Sequence, residues 1–243
     1  KTETDVIQYY LNDYKINTKE NYIYLYSTSK TINSFKAKTK GYYAIEPIIL
    51  QNKMITGNII IKSETAIKIK KTALLKDIIL IAPIIEIEDE TTGSFQAIAS
   101  KKIVVGKKCN LNFPTALVLF QDNKNTSNET STIPFDNQIF IDSRSNVKGS
   151  VYYTQTKEIP DFKTQIVLEK DAIIKGQVYC NGNFELRGTV SGCVYTKQFM
   201  ANQAGSIFVN HIYNGTIENE NVPTIYGGLL FEQEPKIVLK WLY

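Results

Sequence analysis

Three short passages of this chain repeat one pattern, and this repeat constrains the fold more than any other feature. They are Lys148-Gly149-Ser150-Val151-Tyr152, Lys175-Gly176-Gln177-Val178-Tyr179 and Ser191-Gly192-Cys193-Val194-Tyr195. Each places a glycine shortly before a valine and a tyrosine. A short pattern that recurs without a catalytic signature indicates stacked turns of a solenoid, in which every repeat contacts its neighbours. The pattern therefore predicts an architecture and not a chemistry.

The glycines of these passages predict corners in the chain. Gly149, Gly176 and Gly192 are 27 and then 16 residues apart, and Arg187-Gly188-Thr189-Val190 supplies a weaker copy. Unequal spacing is expected where loops are inserted at one corner of a coil, because such insertions leave the contacts between neighbouring repeats intact. Glycine suits a corner because it tolerates positive φ and lets another backbone approach closely. We therefore predict that Gly149, Gly176 and Gly192 are structural repeat corners.

Apolar stretches after residue 65 are short and closely spaced, which limits the fold classes. Only two to eight residues separate them, so the crossover helices that parallel strands normally need do not fit. A β-helix avoids such helices because each turn of the coil supplies its own return strands. The sequence therefore predicts an all-β protein, a right-handed parallel β-helix (solenoid), with an antiparallel β-sandwich as the alternative. The predicted strands contain Ile48 to Leu50, Ile59 to Ile61, Ile67 with Ile69, Ile78 to Ile81, Ile84 to Ile87, Phe95 to Ala99, Ile103 to Val105, and Leu111 with Phe113.

The start of the chain predicts a short helix. Val6, Tyr10 and Tyr14 recur at four-residue intervals, which is the spacing of one helix face. The helix is either a cap over the end of the solenoid, the interpretation that we favour, or the end of a longer helix.

These patterns divide the chain into two regions. Residues 1–62 are predicted to form an N-terminal helix and a β-rich cap, and residues 63–243 a β-helical solenoid. A polar stretch without periodicity, residues 121–137, is predicted to be a long loop. The apolar closing segment, residues 236–243, is predicted to cap the final turn or to add a strand, because an open solenoid end exposes unpaired strand edges.

Composition and charge exclude several classes of protein. The chain carries 28 basic and 24 acidic residues, and the net charge of +4 is too small to indicate a nucleic-acid-binding protein. No run approaches 18 apolar residues, so no predicted segment spans a bilayer. The chain begins at Lys1 and not at a methionine, so we expect it to be trimmed and a signal or an N-terminal membrane anchor to have been removed. We expect membrane contact only through an N-terminal signal or anchor segment that is absent from this chain.

The pattern Ile/Val-x-Gly-x-Val, which recurs from Val147 to Val194, resembles the bactofilins, bacterial cytoskeletal proteins that are β-helical and form polymers. The resemblance implies a β-helical core and self-association. The tyrosine-rich start and the long polar loop depart from the family. The composition, rich in Lys, Ile and Asn, resembles that of uncharacterised cell-envelope proteins of Bacteroidetes, which implies an extracytoplasmic or cell-envelope location.

Histidine and cysteine are too few for the common metal and nucleophile sites. His211 is the only histidine, which excludes a multi-histidine metal site and leaves any Ser/His/Asp arrangement dependent on this residue. Cys109, Cys180 and Cys193 lack the CxxC spacing of a zinc ribbon. Cys180 and Cys193 lie in neighbouring repeats and can stack, although a small buried residue is the favoured role. We expect a structural histidine that is hydrogen-bonded within the coil, and no cofactor or metal.

Carboxylates are the remaining candidates for catalysis. Lyases and glycosidases with β-helical folds use Asp or Glu pairs along a groove, and Asp142 with Arg144 and Glu169 with Asp171 are of the required types. Each pair lies near a predicted turn, where acidic residues are expected for solvation alone. The sequence therefore favours the absence of a catalytic residue and leaves an enzymatic role open.

Charged residues also form a candidate cation site or an outer surface. Glu86, Glu88, Asp89 and Glu90 alternate with isoleucines but lack the spacing of a calcium loop. The lysine pairs at positions 70–71, 101–102 and 107–108 can form a ladder on stacked strands and compensate this acidic charge. A solvated outer face is the favoured interpretation.

Three tyrosines form the predicted ligand or partner surface. Tyr22, Tyr24 and Tyr26 alternate along a predicted strand and project on one face. Exposed aromatic rings stack on sugars and pack against protein partners, although a packing seam between the N-terminal region and the coil is the favoured interpretation.

The repeats lack a catalytic signature, which favours a structural function over a carbohydrate-directed one. We expect a non-catalytic structural or assembly protein of the bacterial cell envelope, a β-helical scaffold that associates with itself or with envelope proteins. The alternative is a carbohydrate-binding or carbohydrate-active β-helix, of the lyase or glycosidase kind, with a polysaccharide partner. No nucleic-acid partner is expected.

Overall fold

The computed structural model describes residues 3–13, 25, 27–122, 137–156 and 163–219. The fold is all-β, with 66% strand and 4% helix. Helix α1 (Glu3–Gln8) continues into a π-helical segment (Tyr9–Asp13). Within the described residues, each helix is too short and too polar to cross a bilayer. The strands are β1 (Lys30–Asn33), β2 (Lys40–Ala44), β3 (Ile48–Leu50), β4 (Met54–Gly57), β5 (Ile59–Ser63), β6 (Ala66–Ile69), β7 (Leu74–Ile87), β8 (Thr92–Val105), β9 (Asn110–Gln121), β10 (Gln138–Ile141), β11 (Asn146–Gln155), β12 (Ile166–Leu168), β13 (Ile173–Leu186), β14 (Thr189–Gln203), β15 (Ser206–Val209) and β16 (Thr216–Glu218).

Parallel pairing dominates the sheet. The strands β8, β10, β12, β13, β11 and β9 pair in a closed ring, which forms a parallel barrel core, and further strands extend it on both sides. Among the pairings of the described residues, only the one between β14 and β15 is antiparallel. The alternative of an antiparallel β-sandwich was therefore wrong.

Several strands are longer than the sequence predicts. The stretches Ile78 to Ile81 and Ile84 to Ile87 belong to one strand, β7, which keeps pairing with β8 through register shifts between Lys76 and Ile78 and between Ala82 and Ile84. Asp77 and Pro83, the residues at these two shifts, are residue types that often mark strand ends in a sequence. They do not end β7, because its pairing with β8 resumes after each irregularity. The predicted boundary between residues 62 and 63 falls inside β5, which pairs with β2 and β7.

Rows of apolar side chains fill the interior. In one such row, neighbouring residues on successive strands are Leu80, Ala97, Leu117, Val151 and Val178, and all five are fully buried. Side chains alternate between the two faces of a strand, so every second residue joins this core while its neighbours point outward. The core is one contiguous cluster that extends from Leu25 to Val190.

The N-terminal helix packs on the outer face of the sheet. Ile7 is buried in a second apolar cluster with Ile81, Ile98 and Phe120, and Lys62 Nζ donates a hydrogen bond to the Leu11 carbonyl oxygen (3.0 Å). The outward-facing isoleucines of these strands therefore pack against the N-terminal helix and not against the main core. The helix lies on the side of the sheet, whereas the sequence analysis favoured a cap over its end.

Candidate functional site

The predicted corner glycines lie side by side on adjacent strands. Gly149 is opposite Gly176, and Gly176 is opposite Gly192. Their φ angles are 140°, 148° and 148°. A Cβ atom at Gly176 would overlap the carbonyl oxygen of Gly149, and one at Gly192 would overlap that of Gly176. The row extends to Thr115, whose carbonyl oxygen occupies the same position against Gly149, and the sequence pattern did not predict this member.

The tyrosines of the repeats form a stacked column on the outer face. Tyr152 and Tyr179 have ring centroids 4.7 Å apart and an angle of 13° between their planes. Tyr195 follows Tyr179 in register and is 48% exposed. The facing sides of Tyr152 and Tyr179 are occupied by each other, so they support the stack and are not open platforms. The three tyrosines predicted as a ligand surface, Tyr22, Tyr24 and Tyr26, lie outside the described residues, as do residues 123–136 of the predicted loop and the closing segment.

A cluster of charges lies where β12, β13 and β14 end. The Arg187 backbone N–H donates to the Leu168 carbonyl oxygen (2.9 Å), which brings Arg187 beside Glu169. Arg187 Nη1 lies 2.8 Å from Glu169 Oε1, and Nη2 pairs with Glu185 Oε1. Burial alone would lower the pKa of Arg187, but the hydrogen bonds and charges of Glu185 and Glu169 outweigh it and raise that pKa.

Glu169, Lys170 and Arg187 form one wall of an open pocket of about 500 Å³. The opposite wall comes from the β14–β15 hairpin, through Asn202 and Gln203, and from Tyr213 and Asn214 after it. The hairpin is fixed to the charged wall because the Asn202 backbone N–H donates to Glu185 Oε1 (3.2 Å). Gln203 Nε2 is buried and has no hydrogen-bond partner among the described residues.

The predicted carboxylate pairs are not brought together. Asp142 Oδ1 accepts the Ser143 backbone N–H (2.6 Å), which is a turn contact, and Arg144 and Asp171 occupy turn positions with φ near 60°. Glu169 has Arg187 as its partner and not Asp171. Sequence reasoning missed Glu185 and Arg187, because nothing in the local pattern shows that residues 169 and 187 are neighbours on adjacent strands.

The acidic run pairs with lysines across strands, as its alternating signs indicated. Glu86 lies 3.0 Å from Lys68 Nζ, its neighbour in register, and Glu90 lies 3.6 Å from Lys71 Nζ. Glu88 accepts the Lys71 backbone N–H (2.8 Å) and a bond from Lys70 Nζ (3.0 Å), and these hydrogen bonds lower its pKa. Within the described residues, no group of three His, Cys, Asp or Glu side chains is arranged to hold a metal ion.

The histidine and the cysteines do not form a nucleophilic site. His211 is exposed and lies 6.1 Å from the Phe208 ring, so it is not the internal coil residue that the sequence predicts. Cys180 is opposite Thr196 and Cys193 is opposite Gln177, so the alternative in which these two cysteines stack was wrong. The favoured role of a small buried residue is confirmed for Cys109 and Cys180 and is wrong for Cys193, which is exposed. All three thiols are free, and burial raises the pKa of Cys109 to about 11. Such a thiol is a poor nucleophile at neutral pH.

Large apolar side chains are exposed in two regions, one near the start and one near the end of the described part of the chain. On the first three strands and their connections these are Ile32, Phe35, Ile45 and Ile49. At the other end, β15 has no buried residue, and the exposed residues are Ile207, Phe208, Val209, Ile212 and Ile217. Exposed apolar groups of this size mark candidate interaction surfaces. We call them the first-turn surface and the hairpin surface.

The chain matches no protein-family model, no curated protein and no solved structure.

Proposed function

We propose that this protein is a non-catalytic scaffold of the bacterial cell envelope, built as a right-handed parallel β-helix whose copies associate end to end. The coil is supported by the pairing of β7. Three successive strands, β4, β5 and β6, pair one after another along this single strand. Because β1, β2 and β3 pair with the same three strands in the same order, each trio corresponds to one turn. A right-handed winding is the expected one for parallel connections.

The observation that carries the assembly proposal is the pair of exposed apolar ends. Phe35 is 68% exposed and Ile45 is 65% exposed on the first-turn surface. Within the described part of the chain, β1, β2 and β3 each pair with only one other strand, so one edge of each is without a strand partner. An unpaired edge beside apolar side chains is a template for another chain. The hairpin surface supplies a different patch, and a contact between unlike patches propagates into filaments.

The pocket at Arg187 argues against a glycosidase. Catalytic carboxylates of glycosidases face each other across the bond that they cleave. Glu169 and Glu185 instead direct oxygens at the same guanidinium. A cell-envelope location and envelope partners follow from the resemblance to bactofilins and from the composition.

Association is tested by light scattering behind size exclusion over a concentration series, with electron microscopy of the most concentrated fraction. We expect the mass to rise above that of a 27.6 kDa monomer and filaments to form. Phe35→Lys and Ile207→Lys, one at each surface, should each return the protein to a monomer at concentrations where the unchanged protein has at least doubled in mass.

The matched control is Leu74→Lys. Leu74 is an apolar residue of β7 that is 52% exposed but belongs to neither surface, so this variant should associate like the unchanged protein. A monomer at every concentration would contradict the proposal. So would association that all three variants weaken equally.

A further inference from the structure

We propose that the pocket at Arg187 binds a neutral saccharide. This proposal is independent of assembly, because it concerns a concave site and not the exposed ends. The volume of about 500 Å³ lies within the range of small-ligand sites. The pocket is built from four segments of the chain that meet through backbone hydrogen bonds, so its walls exist without a ligand.

The charge balance of the pocket favours a neutral ligand. Glu169, Lys170 and Arg187 line the pocket, and Glu185 supplies a second negative charge because it pairs with Arg187. Arg187 is already hydrogen-bonded to both carboxylates, through Nη1 to Glu169 and through Nε (3.0 Å) and Nη2 to Glu185. A guanidinium whose charge is satisfied by two anions has little attraction left for an anionic ligand. A cationic ligand would have to displace Arg187.

The remaining polar groups match hydroxyl groups. Asn202, Gln203 and Asn214 contribute side-chain amides, each of which carries both donors and acceptors. A hydroxyl group is likewise both donor and acceptor. The amides of Asn202 and Asn214 can therefore donate to and accept from ligand hydroxyls.

An aromatic ring completes the recognition of a sugar. Tyr213 lines the pocket and is 47% exposed, so part of its side chain is available for contact with a ligand. A pyranose has an apolar face of C–H groups and a rim of hydroxyls, and an aromatic ring beside amides fits both.

The proposal is tested with an array of neutral oligosaccharides that also carries sulfated and uronic-acid-containing ones, followed by calorimetry with the strongest neutral binder. Dilute monomeric protein is used, so that a failure of the assembly proposal does not affect the result. Tyr213→Ala should weaken binding at least tenfold, and Asn202→Ala should weaken it several-fold. Tyr195→Ala removes a ring of the same exposure (48%) outside the pocket and should leave the affinity unchanged.

Melting curves of the three variants identify any variant that fails to fold. If Tyr213→Ala fails to fold, Asn202→Ala still tests the proposal. The proposal is overturned if no neutral oligosaccharide binds, or if Tyr213→Ala and Asn202→Ala bind like the unchanged protein. It is also overturned if only anionic oligosaccharides bind and added salt removes the binding, which would identify an anion site at Lys170 and Arg187.

Discussion

At Gly176, the position that an alanine methyl group would need is taken by the carbonyl oxygen of Gly149. The same relation holds between Gly192 and Gly176, so each glycine of the row permits the close approach of the next strand. Positive φ adds a second requirement, since side chains other than hydrogen are strained there. Two separate physical reasons therefore demand glycine at these positions, which lie inside β11, β13 and β14.

Gly176→Ala should lower the free energy of unfolding by more than about 3 kcal/mol, because backbone strain and the overlap with a fixed carbonyl add together. The matched control is Gly205→Ala in the β14–β15 turn. Gly205 also has a positive φ, 82°, but a Cβ there meets no atom within 4 Å. It should cost only about 1–2 kcal/mol, the strain alone. Urea denaturation of both variants measures the difference, and equal losses would show that the overlap is relieved by a small shift.

In the pocket, the contacts of the single residue Arg187 also depend on how the strands pair. Its two carboxylate partners are 18 and 2 positions away in the chain, and the longer contact exists because Leu168 and Leu186 are opposed on adjacent strands. The exposed ion pairs of Glu86 and Glu90 contribute little to stability, because water screens them. Ion pairs at the surface and in the pocket thus have different consequences.

At the scale of elements, the N-terminal helix is a lateral cover for outward-facing apolar residues. Ile81 and Ile98 are opposed on β7 and β8 and point away from the main core. Without Ile7 and its neighbours these side chains would face water. The helix therefore makes an otherwise unfavourable face of the sheet compatible with solvent.

Ile7→Asp should detach this helix while leaving the sheet intact. We expect backbone amides of residues 3–13 to exchange hydrogen roughly tenfold faster or more, because the apolar contact that holds the helix is lost. Tyr9→Asp places the same charge on an exposed position two residues further along, at the start of the π-helical segment, and should have a smaller effect. Hydrogen exchange with mass spectrometry measures both. Unchanged exchange in Ile7→Asp would mean that other contacts hold the helix.

At the scale of the whole molecule, a coil would make stability a property of neighbouring turns. In such an arrangement each turn contacts only the turns before and after it. Val190 pairs with Ile174 and Ile217 near one end, and Ile48 pairs with Ile67 near the other. Val190 and Ile48 are both fully buried.

Val190→Ala should remove roughly 2 kcal/mol of local stability and speed hydrogen exchange in β13 to β16 without affecting β3 or β6. Ile48→Ala should do the reverse. Hydrogen exchange resolved by peptide provides the measurement. A uniform change along the chain in both variants would indicate a single cooperative unit and would count against a coil of nearly independent turns.

The sequence alone determined the strand content and the alignment of the repeats. Gly149, Gly176 and Gly192 could be aligned because each repeat obeys the same local constraint, and short apolar stretches identified β3 and β5 to β9. It also anticipated the compensation of Glu86, Glu88 and Glu90 by lysines, since charges of opposite sign alternate on stacked strands.

Only the tertiary structure decided which distant residues meet. The pocket of Glu169, Glu185 and Arg187, the position of the helix on the side of the sheet, and the separation of Cys180 from Cys193 all depend on the register between strands. Register follows from bends and bulges, such as the shift between Cys180 and Asn183, which no single repeat encodes. Local patterns fix which face of a strand a residue occupies, whereas contacts across strands are fixed by the path of the whole chain.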